Sequence, residues 1–209
     1  MKIITATLVA DGSSDKLLIP FIKLLFSEHA PADLAVRFNF AAGLPAIAEG
    51  LASRIRAALD LYPSDFLFVH RDEEGVGLMA RQEEIERSWP ADVQGTALIC
   101  VIPIRMTEAW LLTNSKPIRL AVGNGNGNGT IPLELPTLKT IEASPNPKAV
   151  LFSALKTATM WNARRKESFR PDLYRHRVSE LTDDLMPLRK LSSFNHLEAQ
   201  VKKHLKLIE

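Results

Sequence analysis

The chain has 209 residues, of which 46% are hydrophobic and 24% charged. That is enough to bury a sizeable core and excludes bulk disorder. No apolar run approaches the ~18 residues of a bilayer span, the N-terminus lacks the order of a signal peptide, and one cysteine, Cys100, excludes an intramolecular disulfide or a Cys-based zinc site. A soluble, cytoplasmic protein is the expectation. The net charge of +2 hides an asymmetry: residues 1–115 sum to −5 and residues 116–209 to +7. An acidic half joined to a basic half suits a metal site beside an anion-binding surface.

In chain order, Ile3–Val9 is a β-branched apolar run and reads as a buried strand. A capping-rich turn, Asp11-Gly12-Ser13-Ser14-Asp15, leads into helical spacing over Ser14–Ser27, with Pro20 expected to kink or end a first short segment. Leu34–Phe40 alternates as a second strand, and Leu44–Leu61 repeats as an amphipathic helix. Asp65–His70 is a third strand, Leu78–Trp89 a third helix, and Ala97–Ile104 a fourth, most apolar strand, after which Thr107–Leu112 begins another helix. Strands alternating with helices predict an α/β fold built on a four-stranded parallel sheet, whose ligands bind at the carboxyl ends of the strands. Residues 1–120 form the expected catalytic domain. Residues 121–145, with their Gly-Asn repeat and prolines, read as a flexible linker, and residues 146–209 as a helical appendage beginning at Asn146-Pro147.

Three acidic features follow strands. Asp11 and Asp15 flank a glycine turn after the first, Asp72 and Glu74 end the third, and Glu108 opens the helix after the fourth. Carboxylates placed there supply hard oxygen ligands for Mg²⁺ or Mn²⁺. Helix capping and a solvated acidic loop account for the same residues without a metal, and for Glu108 a favourable first-turn charge does so. Arg71 and Arg105 stand where they can neutralise a phosphate or pair with Glu73 or Glu108. His70 reads as a strand end, and Trp110 as core or interface packing. In the basic half, Arg164, Arg165, Lys166, Arg170, Arg175 and Arg177 surround Phe169 and Tyr174, a mixture suited to phosphate contacts with stacking on unpaired bases, or to a solvated face.

Val9-Ala10-Asp11-Gly12-Ser13-Ser14-Asp15 resembles the first motif of Toprim domains, an acidic residue, Gly, a variable residue, Ser/Thr and Asp after the first strand. Phe68-Val69-His70-Arg71-Asp72-Glu73-Glu74 is similar to the second, an Asp-x-Asp after a hydrophobic strand. Pro103–Leu112 and Ser192–Glu198 resemble segments of small bacterial Toprim-like proteins, related to the overcoming-lysogenisation-defect nucleases and often encoded beside ATPases in defence clusters. Two positions depart from the pattern: Asp11 stands where the family has Glu, and Glu74 where the last Asp is usual. The resemblance implies a Toprim-like, Rossmann-like fold and Mg²⁺- or Mn²⁺-dependent hydrolysis of nucleic acid, DNA or RNA. It implies Asp11 as general acid/base and metal ligand, with Asp15, Asp72 and Glu74 as further ligands; by their positions Arg71 and Arg105, and Glu108 as another ligand or a partner of those arginines, complete the expected catalytic set. An anti-phage setting, a partner ATPase and a homo-oligomer belong to the same expectation. A non-catalytic subunit of such an ATPase is the alternative, and a phosphohydrolase acting on a small nucleotide a third. Neither Tyr62 nor Tyr174 sits where a topoisomerase nucleophile is needed.

Overall fold

The computed structural model describes residues 2–124, 129 and 131–207; in the helix Ala163–Glu167 the side chains of Ala163 and Arg165 also lie outside the described set. Four parallel strands, β1 (Lys2–Val9), β2 (Leu34–Phe40), β3 (Phe66–His70) and β4 (Ala97–Val101), form one sheet in the order β2-β1-β3-β4. Leu8 lies opposite Phe40, and Val9 opposite Val69, which in turn faces Cys100. The chain moves from β1 outward to β2 and then returns across β1 to β3. The carboxyl ends of β1 and β3 therefore flank the topological switch point, where open α/β sheets hold their ligands.

Nine α-helices stand among the described residues: α1 (Ile19–His29), α2 (Leu51–Leu61), α3 (Leu78–Arg87), α4 (Glu108–Leu111), α5 (Ser115–Ala121), α6 (Pro147–Ala158), α7 (Ala163–Glu167), α8 (Arg175–Glu180) and α9 (Ser192–Leu205). The alternation of each strand sorts them into two layers. Phe66 and Phe68 face a core shared with α1, α4, α5, α6, α8 and α9, whereas Leu67 and Val69 face α2 and α3. The helices of residues 146–209 thus share their apolar core with the sheet. Trp110 lies at its centre, 1% exposed, edge-on to Phe21 and Phe194, with its indole N–H donated to Ser193 Oγ at 2.9 Å.

Pro20 lies in the first turn of α1, after a 3-10 segment, Ser13–Leu18, so the expected break is present. The helix expected from Leu44 starts seven residues later. Gly50, at φ 89°, separates a short 3-10 turn, Ile47–Glu49, from Leu51, and Pro45 lies in the loop before it. The fourth strand ends at Val101 rather than Ile104, because the chain then turns toward the loop after β3. The helices α5 and α7, of 7 and 5 residues, are too short to show a helical period in advance. Asn146 caps α6 as expected, accepting from the Ala149 N–H at 3.0 Å. Of the expected linker, residues 125–128 and 130 lie outside the described residues; farther along it, Ile141 is fully buried.

Candidate active site at the carboxyl ends of the strands

Two loops are tied together beyond the strand ends. Glu73 donates its N–H to the Pro103 carbonyl at 3.0 Å, and its carboxylate accepts from the N–H groups of Gly75, Gly77 and Arg105 at 2.8, 2.7 and 3.3 Å. Burial raises the pKa of this 7%-exposed group, but the three N–H donors outweigh it and hold Glu73 below the usual carboxylate range. The loops carry left-handed backbone at Glu74 (φ 53°) and Arg105 (φ 68°), sparsely populated by non-glycine residues and typical of places where structure is held for function. Sequence reasoning named Glu73 only as an ion-pair partner of Arg71 or Arg105 and missed its hold on these backbone N–H groups. Its signal was its place two and four residues before glycines at positive φ.

His70 joins the two acidic motifs. The imidazole is 4% exposed, with Nδ1 3.7 Å from Asp15 Oδ2 and Nε2 3.3 Å from Asp72 Oδ1. Thr107 Oγ1 lies 3.1 Å from His70 Nε2 and donates to Asp72 Oδ1 at 3.2 Å. Nδ1 makes no hydrogen bond among the described residues. Asp15 also accepts from the Gly12 N–H at 3.1 Å, which fixes the turn after β1. His70 therefore does more than end a strand: it spaces two carboxylates that come from different loops.

The remaining expected residues divide. Asp11 Oδ2 lies 3.6 Å from Arg71 Nε, and Arg71 reaches Glu84 at 3.7 Å, so these two are brought together in the crevice. Glu74 is 67% exposed and pairs with Arg81 at 3.3 Å, while Arg81 also binds Glu84. Arg105 contributes its N–H to Glu73, and its guanidinium Nη1 stands 3.5 Å from where a Cβ on Gly75 would be. Glu108 is 5% exposed and pairs with Arg175 at 2.7 Å, tying α4 to α8.

In the basic half, Arg170 pairs with Asp172 at 3.1 Å and Arg177 with Glu180 at 3.2 Å. Arg164 is exposed and Lys166 half-buried; the side chain of Arg165 lies outside the described residues. The expected stacking aromatics are engaged elsewhere. Phe169 is 6% exposed, edge-on to Trp161 at 5.6 Å and 4.8 Å from Tyr174. Apolar burial has taken them into the core.

The donor chemistry of Asp11, Asp15 and Asp72 fits a hard divalent cation: carboxylate oxygens on partly exposed side chains at the switch point. As they stand, these oxygens are not drawn to ligand spacing. Among the described residues, the one group of three ligand atoms within 4.8 Å of each other is Glu28, His29 and Glu198, on α1 and α9. Those carboxylates already receive Arg189, and Glu198 also Lys202, so that group is an ion-pair clasp between helices. An ion held by Asp11 would compete with Arg71 for the same oxygen.

Among the described residues no helix is long and apolar enough to cross a membrane. No family model matches the chain, and no curated protein or solved structure does so either.

Proposed function

We propose that the crevice at the carboxyl ends of β1 and β3 is a divalent-metal-dependent, Toprim-like phosphodiesterase site that cleaves nucleic acid. The observation that supports this most directly is His70 set between Asp15 and Asp72, one carboxylate from each acidic motif, at the switch point of a parallel sheet. Asp11, Asp15 and Asp72 would hold Mg²⁺ or Mn²⁺, with Glu74, now paired with Arg81, as a further candidate ligand. When bound, the ion polarises the phosphoryl oxygen and lowers the pKa of a bound water. Thr107 and His70 orient Asp72. Asp11 is placed to move a proton at the reacting oxygen, and Arg71, beside it in the crevice, to take the phosphate charge. Arg105 and Glu108 act from behind, by holding the two loops and α8 in place. Exposed cations at Arg164, Arg170 and Arg177 supply phosphate contacts away from the crevice.

One observation favours a second reading. Asp11 and Glu74 are already neutralised by Arg71 and Arg81, as expected of a non-catalytic subunit that binds a partner ATPase. The anti-phage setting rests on the sequence resemblance. Incubating the purified protein with DNA and with RNA, in Mg²⁺ or Mn²⁺ against EDTA, separates the readings: metal-dependent cleavage supports the first, and its absence with all substrates supports the second.

A further inference from the structure

Beside Asp11, between the turn after β1 and the end of β2, lies a cavity of about 240 Å³ walled by Asp11, Ser13, Phe40, Ala42 and Arg54. Arg54, from α2, is 7% exposed. It donates from Nη1 to the Pro45 carbonyl and from Nη2 to the Ala10 carbonyl at 2.6 Å, the peptide group that leads into Asp11. Those bonds use two of its five N–H groups, and Nε is buried with no hydrogen-bond partner. Among the described residues no carboxylate lies within 4.0 Å of it. A guanidinium buried without a counter-charge is costly, and proteins retain such groups where something else supplies the charge.

We propose that this cavity is an anion subsite that takes a phosphate of the substrate strand next to the one hydrolysed. The inference rests on the crevice being a phosphodiester site, and it assigns a role to a residue outside both acidic motifs. Arg54 supplies the charge. Its hold on the Ala10 carbonyl links occupancy of the subsite to the placement of Asp11, so a nucleotide seated there is aligned with the crevice. Asp11 is the one carboxylate on the walls, and it repels an anion beyond what its partner Arg71, 3.6 Å away, offsets.

The test uses thymidine 3′,5′-bisphosphate as probe, in EDTA, by isothermal titration calorimetry. Asp11→Asn removes the repelling charge and the metal site together, so that protein is expected to bind the probe more tightly than wild type. Adding Ala42→Glu, at an exposed position on the cavity wall, is expected to weaken binding at least tenfold, and Arg54→Met to do the same. Circular dichroism reports whether Arg54→Met, which also loses the carbonyl clamp, remains folded; Ala42→Glu disturbs no such bond. Saturable binding lost in Ala42→Glu supports the subsite. No saturable binding to Asp11→Asn, or binding unchanged by Ala42→Glu, overturns it. Because no metal is present, absent cleavage with this binding intact counts against the phosphodiesterase reading alone, and cleavage without this binding against the subsite alone.

Discussion

Gln200 closes the open edge of the sheet against Cys100. Its side-chain amide accepts from the Cys100 N–H at 2.9 Å and donates to the Cys100 carbonyl at 3.0 Å, standing in for a fifth strand. β4 is an edge strand, and an uncovered edge invites pairing with other chains. The same burial, with Glu86 nearby, pushes the Cys100 thiol up to about 12, out of the reactive range. Gln200→Leu keeps the bulk of the side chain and removes both bonds. Leaving two buried backbone groups unpaired costs about 1–3 kcal/mol. The variant is expected to unfold at lower denaturant concentration with an unchanged slope and to aggregate more readily. A midpoint equal to wild type contradicts the edge-closing role.

The pair Glu108–Arg175 spans 67 residues and sits largely inside the protein. Glu108→Gln leaves Arg175 without its counter-charge. Removing one partner of a fully buried pair costs about 3–5 kcal/mol; Arg175 retains 15% exposure, so about 1–3 kcal/mol is expected here. The double variant Glu108→Gln/Arg175→Met is expected to recover part of that loss. Arg177→Ala, which breaks the exposed pair with Glu180, serves as a control expected to change stability by less than about 1 kcal/mol. Urea unfolding of the four proteins checks the set, and a Glu108→Gln variant as stable as Arg177→Ala contradicts it.

Glu198 makes stability depend on acid. Burial alone raises its pKa, but hydrogen bonds from Arg189, His29 and Lys202 outweigh that and hold it at about 2, against an ordinary 4.5. A carboxylate whose pKa is depressed on folding contributes stability that is complete above the unfolded value and is lost as pH falls toward the folded one. The contribution, about 3 kcal/mol at neutral pH from a shift of this size, is expected to fade between pH 5 and pH 2. Glu198→Gln is expected to be less stable at pH 7 and to show a flatter stability profile over that interval. Parallel profiles for the two proteins contradict the account.

How far such relationships can be read in advance depends on their range. The four strands follow from short apolar runs, alternating in Leu34–Phe40, and Pro20 and Asn146 act within one turn, so these were legible. The start of α2 was not, because Leu44 and Ile47 continue the apolar spacing while Gly50, at φ 89°, breaks the helix. Asp11, Asp15 and Asp72 were legible as strand-end carboxylates. The imidazole that spaces Asp15 from Asp72 was not, since its position depends on how two loops pack. Arg175 and Phe169 sit in a basic, aromatic stretch that suits nucleic acid, yet one pairs with a glutamate in α4 and the other is buried against Trp161. Arg54 carries no sequence signal, being one charge in an amphipathic helix.

On the proposed reading, cations of the basic half supply phosphate contacts. Changing Arg164, Lys166, Arg170 and Arg177 together to Ala is expected to weaken nucleic-acid binding to a similar degree for all sequences. It is also expected to flatten the dependence of log K on log salt by roughly one unit for each phosphate no longer neutralised. Fluorescence anisotropy across a salt series measures both. An unchanged slope assigns this face to packing or to a protein partner.

The central claim is that the carboxylates at the ends of β1 and β3 carry metal-dependent phosphodiester hydrolysis, and cleavage by Asp72→Asn tests it most directly. The substitution keeps the shape beside His70 and Thr107 and removes the ligand charge. With Mg²⁺ or Mn²⁺ and a DNA or RNA substrate that wild type cleaves, the account predicts a loss of ~10²-fold or more, with the folded state and salt-dependent binding retained. Full activity in Asp72→Asn contradicts it, as does a wild-type protein that cleaves equally well in EDTA.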